Sequence, residues 1–290
     1  MKSRLLFTVL LLAIVAGLVS CEKEDEPGDF FGGETSDPML IIRFKFDETE
    51  QTSRKQGSTL PGNAAQTPDY NSIAADFIQF TTTKDTASKS GIVAYQSPKT
   101  TMGGSEAIDF GLTRVVEENR VFVALPIKKL KTGNYRYVNV SIAFQNYKIK
   151  IRNNAADYDG TMAGFTGFNT YIDTYEIGNN IFPVNANKTD GYWAFALDDF
   201  PYQAKGQITD NIISNSGNDA GLTKSRLITG KFTSDLVITG KETSNIEVTL
   251  TLPVAHTFQW KEVIFDGKFE PSIGEQIINL GANDVVASFR

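Results

Sequence analysis

Apolar and polar residues alternate along much of the chain. Leu40, Ile42, Phe44 and Phe46 share one side of an extended segment, with Arg43 and Lys45 on the other. A period of two keeps one face apolar only in a strand. Val121, Val123, Leu125 and Ile127 repeat the pattern, and Lys131-Thr132-Gly133-Asn134 turns the chain into Tyr135. Val138, Val140, Ile142 and Phe144 then occupy even positions, whereas Tyr147, Ile149 and Ile151 occupy odd ones. Successive side chains point to opposite faces, so this change of parity predicts a bulge, a kink or an exchange of sheets near Gln145 and Asn146. Further on, Leu236 and Ile238, a Thr-Gly-Lys-Glu-Thr turn, and Ile246, Val248, Leu250 and Leu252 predict a hairpin. Phe258 and Trp260 continue the even set, and residues 275–280 read as a turn of helix or a short final strand.

Three stretches, residues 49–71, 153–167 and 201–224, are rich in Gly, Asn, Asp, Ser, Thr and Gln and read as long loops, which in a compact fold usually carry function. Beyond the first twenty residues, no stretch of about eleven or more has helical spacing. The expectation is an all-β fold: a single β-sandwich, immunoglobulin-like or jelly-roll-like, over residues 39–290.

The N-terminus breaks the pattern. Lys2 and Arg4 precede an apolar run over residues 5–16, the length of a signal-peptide core and too short to span a bilayer. The run ends in Gly17-Leu18-Val19-Ser20-Cys21, which matches the lipobox read by bacterial lipoprotein signal peptidase. Residues 1–20 are thus read as a lipoprotein signal peptide and Cys21, the chain's one cysteine, as the acylated N-terminus of the mature form. A diacylglycerol plus an amide-linked acyl chain exceeds the two-signal threshold for stable membrane anchoring. Residues 21–38 open with Glu22-Lys23-Glu24-Asp25-Glu26 and continue through Gly, Ser, Asp and Pro, a composition that predicts a disordered acidic tether. The acidic block resembles the signal that exports Bacteroidota lipoproteins to the outer face of the outer membrane. Localisation there, lipid-anchored and surface-exposed, is the expectation.

Charge and composition narrow the chemistry. The formal net charge of −6 becomes two units more negative when Lys2 and Arg4 leave with the signal. Without clustered Lys and Arg, the chain lacks the footprint that phosphate-backbone binding requires, so nucleic acid is not an expected partner. Lipidation of Cys21 leaves no thiol for disulfides, zinc sites or a cysteine nucleophile, and His256 is the sole histidine.

Several residues are candidates for function. Tyr192, Trp193 and Trp260 are candidate ligand-binding residues because their flat faces suit a sugar ring; the competing reading places them in the core. Asp157-Tyr158-Asp159-Gly160 opens like a calcium loop, but its glycine comes early and Phe168 stands where a bidentate Glu is needed. Asp157, Asp159 and His256 are therefore the candidate metal residues, for calcium or copper, while no cofactor is required by the pattern. Asp198 with Asp199, or Asp47 with Glu48, are adjacent and point to opposite faces of a strand, so neither pair is catalytic by itself. Asp85-Thr86-Ala87 matches a short O-glycosylation motif, with Thr86 as the acceptor.

Gly62-Asn63-Ala64-Ala65-Gln66-Thr67-Pro68, Ala107-Ile108-Asp109-Phe110, the run from Tyr137 to Tyr147, Gly167-Phe168-Asn169-Thr170-Tyr171-Ile172, Gly191-Tyr192-Trp193-Ala194-Phe195 and the ending from Phe269-Glu270-Pro271 resemble a family of Bacteroidota lipoproteins without an established activity. More distantly, a Phe-rich first strand, Ile-Asp-Phe and a Thr-Gly-Asn-Tyr turn resemble MbnP-like proteins, secreted β-sandwiches linked to copper uptake. The chain departs from those in its single histidine and in lacking a Tyr-Ile-Ser strand motif, so no metal residue carries over. The resulting expectation is a surface-exposed ligand-binding or interaction module whose partner is a glycan or an envelope protein. An MbnP-like copper-associated protein and a glycan hydrolase with paired carboxylates are the alternatives.

Overall fold

Leu40, Ile42 and Phe44 are fully buried and Lys45 is exposed, so the alternation read from the sequence becomes a half-buried strand, β1 (Met39–Gln51). In the computed structural model of this chain, residues 37–51, 61–84, 91–178, 180–199, 201–208 and 227–290 are described. The signal segment, Cys21, the tether up to residue 36 and Thr86 lie outside them.

The remaining strands follow in chain order: β2 (Asn63–Gln66), β3 (Asp69–Thr81), β4 (Ile92–Gln96), β5 (Lys99–Thr100), β6 (Ala107–Asp109), β7 (Val121–Pro126), β8 (Gly133–Asn153), β9 (Ala156–Phe165), β10 (Asn169–Ile177), β11 (Asn180–Thr189), β12 (Tyr192–Leu197), β13 (Gln203–Gln207), β14 (Leu227–Ile238), β15 (Ile246–Ala255), β16 (Phe258–Lys261), β17 (Gln276–Leu280) and β18 (Val286–Phe289). Between them the described residues contain only short 3-10 turns, so the fold is all-β, as expected.

The largest sheet runs β13-β12-β9-β8-β14-β18-β15-β1-β7, with β3 on the other edge of β8 and β4 outside β3. Its two arms, one centred on β1 and β15 and the other on β3 and β8, face each other across the first core. Phe44, Phe80, Phe122 and Leu250 meet there, each fully buried. At about 1.5–3 kcal/mol for each large apolar side chain withdrawn from water, this core holds the sandwich without disulfides. A second core lies between β8, β9, β12 and a four-stranded sheet of order β11-β10-β6-β5. A third lies between the outer strands and a three-stranded sheet of order β17-β16-β2.

β8 serves all three cores, and the parity change in its sequence is the reason. Against β3 the register slips at three places, with Asn71, Asp76 and Ala143 as the extra residues. The Ala143 carbonyl accepts from both Thr166 and Gly167 N–H. After these bulges Val138, Val140 and Ile142 face the first core, whereas Tyr147, Ile149 and Ile151 face the third. The kink is pinned from outside. Tyr70 hydroxyl hydrogen-bonds Gln145, Ala282 N–H donates to both at 2.8 Å, and Tyr147 hydroxyl donates to the Leu280 carbonyl at 2.6 Å. Burial pushes the Tyr70 and Tyr147 hydroxyls well above the ordinary tyrosine range. Gly281, at φ 131°, lets the chain cross this spot, because a Cβ there would collide with Tyr70 and Gln145.

Three sequence readings are corrected. Residues 153–167 are not a loop: β9 lies inside the sheet, paired to β8 along its length and to β12 from Gly160 to Phe165. Its Gly160 sits where a Cβ would press on Ile151 and Leu197, so the small residues that suggested a loop make room for large neighbours. Residues 49–71 and 201–224 likewise contain β2, the start of β3, and β13. The hairpin expected between β14 and β15 does not form, because β18 pairs with both and lies between them. Of the two readings left open for residues 275–280, the short strand is realised as β17.

Candidate functional site

β6 ends at Asp109, and the chain turns through a 3-10 segment, Phe110–Leu112. Thr113 closes this turn: its N–H donates to the Phe110 carbonyl at 3.1 Å and its hydroxyl to the Asp109 carbonyl at 2.7 Å. β10 lies beside β6, with Asp109 in register with Tyr171. Where β10 meets β11 the register slips between Ile172 and Thr174, and this irregularity turns Asp173 toward the same region. On the opposite side Ser72 of β3 and Asn146 of β8 face each other just beyond the Asn71 bulge.

These elements enclose a cleft of about 650 Å³, within the size range of small-ligand sites. Phe110, Phe144 and Tyr175 give it an aromatic floor; Asp173 and Glu176 stand on one side, and Ser72, Thr113 and Asn146 add hydroxyl and amide groups. Among the described residues no basic side chain lines it. The floor is rigid, since Phe110, Phe144 and Phe165 meet pairwise at ring-centroid distances of 5.0 Å, and Tyr175 stacks on Phe182 at 5.2 Å. Burial raises the Tyr175 hydroxyl far above the ordinary tyrosine range, so it remains a protonated hydrogen-bonding group. Gly111 lines the cleft between two carboxylates: oxygens of Asp109 and Asp173 lie 3.6 and 3.8 Å from the point where its Cβ would stand.

Two of the three aromatic candidates from the sequence, Tyr192 and Trp260, are packed inside. Tyr192 is one layer beneath the cleft, in the second core, its hydroxyl 3.3 Å from that of Tyr175. Trp193 is on the opposite face, half-buried, its ring parallel to that of Phe195 at 6.1 Å. Trp260 is fully buried among Phe258 and Phe269 in the third core and offers no face to solvent. The candidate metal residues are not brought together. His256 is exposed in the turn after β15, with φ 56°, and its N–H donates to Thr67. Asp157 is held by Arg152 at 2.8 Å and Lys268 at 3.1 Å, and these partners hold its carboxyl below the usual range. Asp159 pairs with Lys150 at 2.6 Å. Among the described residues no group of three or more His, Cys, Asp or Glu is placed to hold a metal ion.

The cleft was not singled out from sequence. Its signal is faint: Asp109-Phe110-Gly111 after a very short strand, and an acidic residue between Tyr171 and Tyr175. Compared with known protein families, curated proteins and solved structures, the chain matches none.

Proposed function

We propose that this chain is a lipid-anchored outer-membrane protein, displayed on the cell surface through Cys21, whose β-sandwich binds an extracellular ligand in the cleft above the second core. The observation that carries the reading is the cleft itself: a preformed, aromatic-floored concavity with carboxylates beside it, set between strands of two packed sheets and the 3-10 turn after β6. A site already held by packed strands and a hydrogen-bonded turn pays little ordering cost on binding.

The test is thermal unfolding of the purified protein against ligand panels, since anything that prefers the native state raises the midpoint by mass action. A midpoint shift that is lost when Phe110 is replaced by alanine supports the reading; shifts insensitive to that change place the ligand elsewhere. The anchor is tested separately, by loss of fatty-acid labelling in Cys21→Ala.

A second reading is favoured by one observation. Asp109 and Asp173 flank Gly111 beside the cleft, their oxygens 3.6 and 3.8 Å from the point where its Cβ would stand, and a pair of neighbouring carboxylates is the apparatus of glycoside hydrolysis. Release of new reducing ends from a polysaccharide, abolished by Asp173→Asn, would move the chain from binding module to hydrolase.

A further inference from the structure

We infer that the ligand of this cleft is a neutral, hydroxyl-rich ring such as a hexose unit of an uncharged glycan, seated on Phe110 with its hydroxyls donated to the carboxylates of Asp109 and Asp173 over the bare backbone of Gly111. The inference rests on the binding-module reading and adds the chemical class and the contact points.

Gly111 carries most of the argument. Its φ lies outside the left-handed region, so the backbone does not demand glycine. Nor does packing: a Cβ would find its nearest neighbours at 3.6–3.8 Å, ordinary van der Waals contact, and all three are carboxylate oxygens of Asp109 and Asp173. Alanine at such a position lowers the entropy of the unfolded chain and stabilises a protein. Glycine here thus gives up stability and leaves open the space between two carboxylates, which suits close approach of a ligand to the backbone.

The chemistry of that space selects the ligand. Ionised carboxylates only accept hydrogen bonds, so the ligand must supply donors, and sugar hydroxyls do. Among the described residues the lining contains no Lys or Arg, so a phosphate, sulfate or uronate would meet uncompensated negative charge. Phe110, half-buried and held by Phe144 and Phe165, gives the apolar C–H face of a ring a flat seat with no ordering cost. Asn146 and Ser72 opposite bring amide and hydroxyl groups to the far edge of a ring.

The experiment uses the purified protein and four variants, Gly111→Leu, Gly111→Ala, Asp173→Asn and Phe110→Ala. Each is titrated with soluble neutral polysaccharides (a β-glucan and a mannan), with polygalacturonate and with calcium chloride. The expected result is that a neutral polysaccharide binds and polygalacturonate does not. Gly111→Leu should abolish the binding while unfolding at or near the unmodified protein's midpoint, and Asp173→Asn and Phe110→Ala should each weaken it about tenfold or more. If the leucine variant fails to fold, Gly111→Ala and Asp173→Asn report on the same space. Neutral-glycan binding untouched by all variants overturns the placement. Binding of polygalacturonate or calcium alone, lost in Gly111→Leu, overturns the ligand class but leaves the binding-module reading standing. Absence of binding to every ligand overturns both.

Discussion

Replacing Trp260 separates a core residue from a ligand-binding one. The side chain is fully buried, with its ring centroid 5.7 Å from Phe258 and 5.6 Å from Phe269, and its indole N–H has no hydrogen-bond partner among the described residues. Truncating a buried Trp to alanine costs about 3–5 kcal/mol through lost transfer energy and the cavity left behind. Here the unpaired N–H already costs about 1–3 kcal/mol in the native protein, and its removal offsets part of that loss. The net expectation for Trp260→Ala is therefore about 2 kcal/mol, or roughly 4–8 °C in midpoint for a domain of this size. Trp260→Phe leaves a smaller cavity and also removes the orphan donor, so it should stay within about 1 kcal/mol of the unmodified protein. Urea unfolding followed by circular dichroism reads both values. In Trp193→Phe, which leaves Trp260 as the one tryptophan, emission should be blue-shifted and resistant to acrylamide until the protein unfolds. A quenchable, red-shifted Trp260, or an alanine variant as stable as the unmodified protein, would refute the burial argument.

Other positions make equally concrete demands. Gly230→Ala places a Cβ against the Val285 backbone carbonyl, which cannot move aside as a flexible side chain would, so it should destabilise by about 1–3 kcal/mol in the same urea assay. Tyr70, Tyr147 and Tyr175 have hydroxyls raised above the unfolded value of about 10, so between that pH and the folded values the unfolded chain releases protons the native one keeps. Stability from these groups is complete below pH ~10 and falls as pH rises beyond it, visible as a phenolate absorbance step that coincides with alkaline unfolding. Asp157 runs the other way. Its depressed carboxyl contributes above the unfolded carboxylate range and stops contributing as pH falls through its folded value, and Lys268→Ala should raise its NMR titration midpoint.

The alternation of β1 was readable because its other face is partly solvated. Leu40, Ile42 and Phe44 declared its face; β8 is buried on both faces over residues 138–145, and what showed there was the change of parity between Ile142 and Tyr147, which marks the bulge at Ala143. β9 was not readable. From Gly160 onward it is covered on both sides, and its Gly160 and Gly164 imitate loop composition because large neighbours lean over them. Partner choice was also hidden, since the local pattern around residue 240 suits a hairpin and only the last strand of the chain reveals that β18 intervenes. The cleft escaped for a related reason. It is assembled from β3, β8, β10 and the turn after β6, and no single stretch brings its carboxylates, its ring and its bare glycine together. Tyr192 and Trp260 drew attention by residue type, yet burial, which their local sequence does not display, decides their role.

The pairing of β1 also sets a timetable for the chain. One edge of β1 is satisfied by β7, with Met39 opposite Pro126, as soon as the first half of the domain has been delivered. The other edge runs parallel to β15, beginning with Leu40 opposite Ile246, and Met39 N–H is capped by Asn245, 206 residues away. Closing a loop of that length costs about 5 kcal/mol of chain entropy on the simple logarithmic law. Until residue 255 emerges, that edge is a row of bare N–H and C=O groups flanked by Ile and Phe, open to any passing strand. Native assembly therefore belongs to the finished polypeptide. A nascent or C-terminally clipped chain is the form most prone to aggregate, and the form a holding chaperone has most reason to grip.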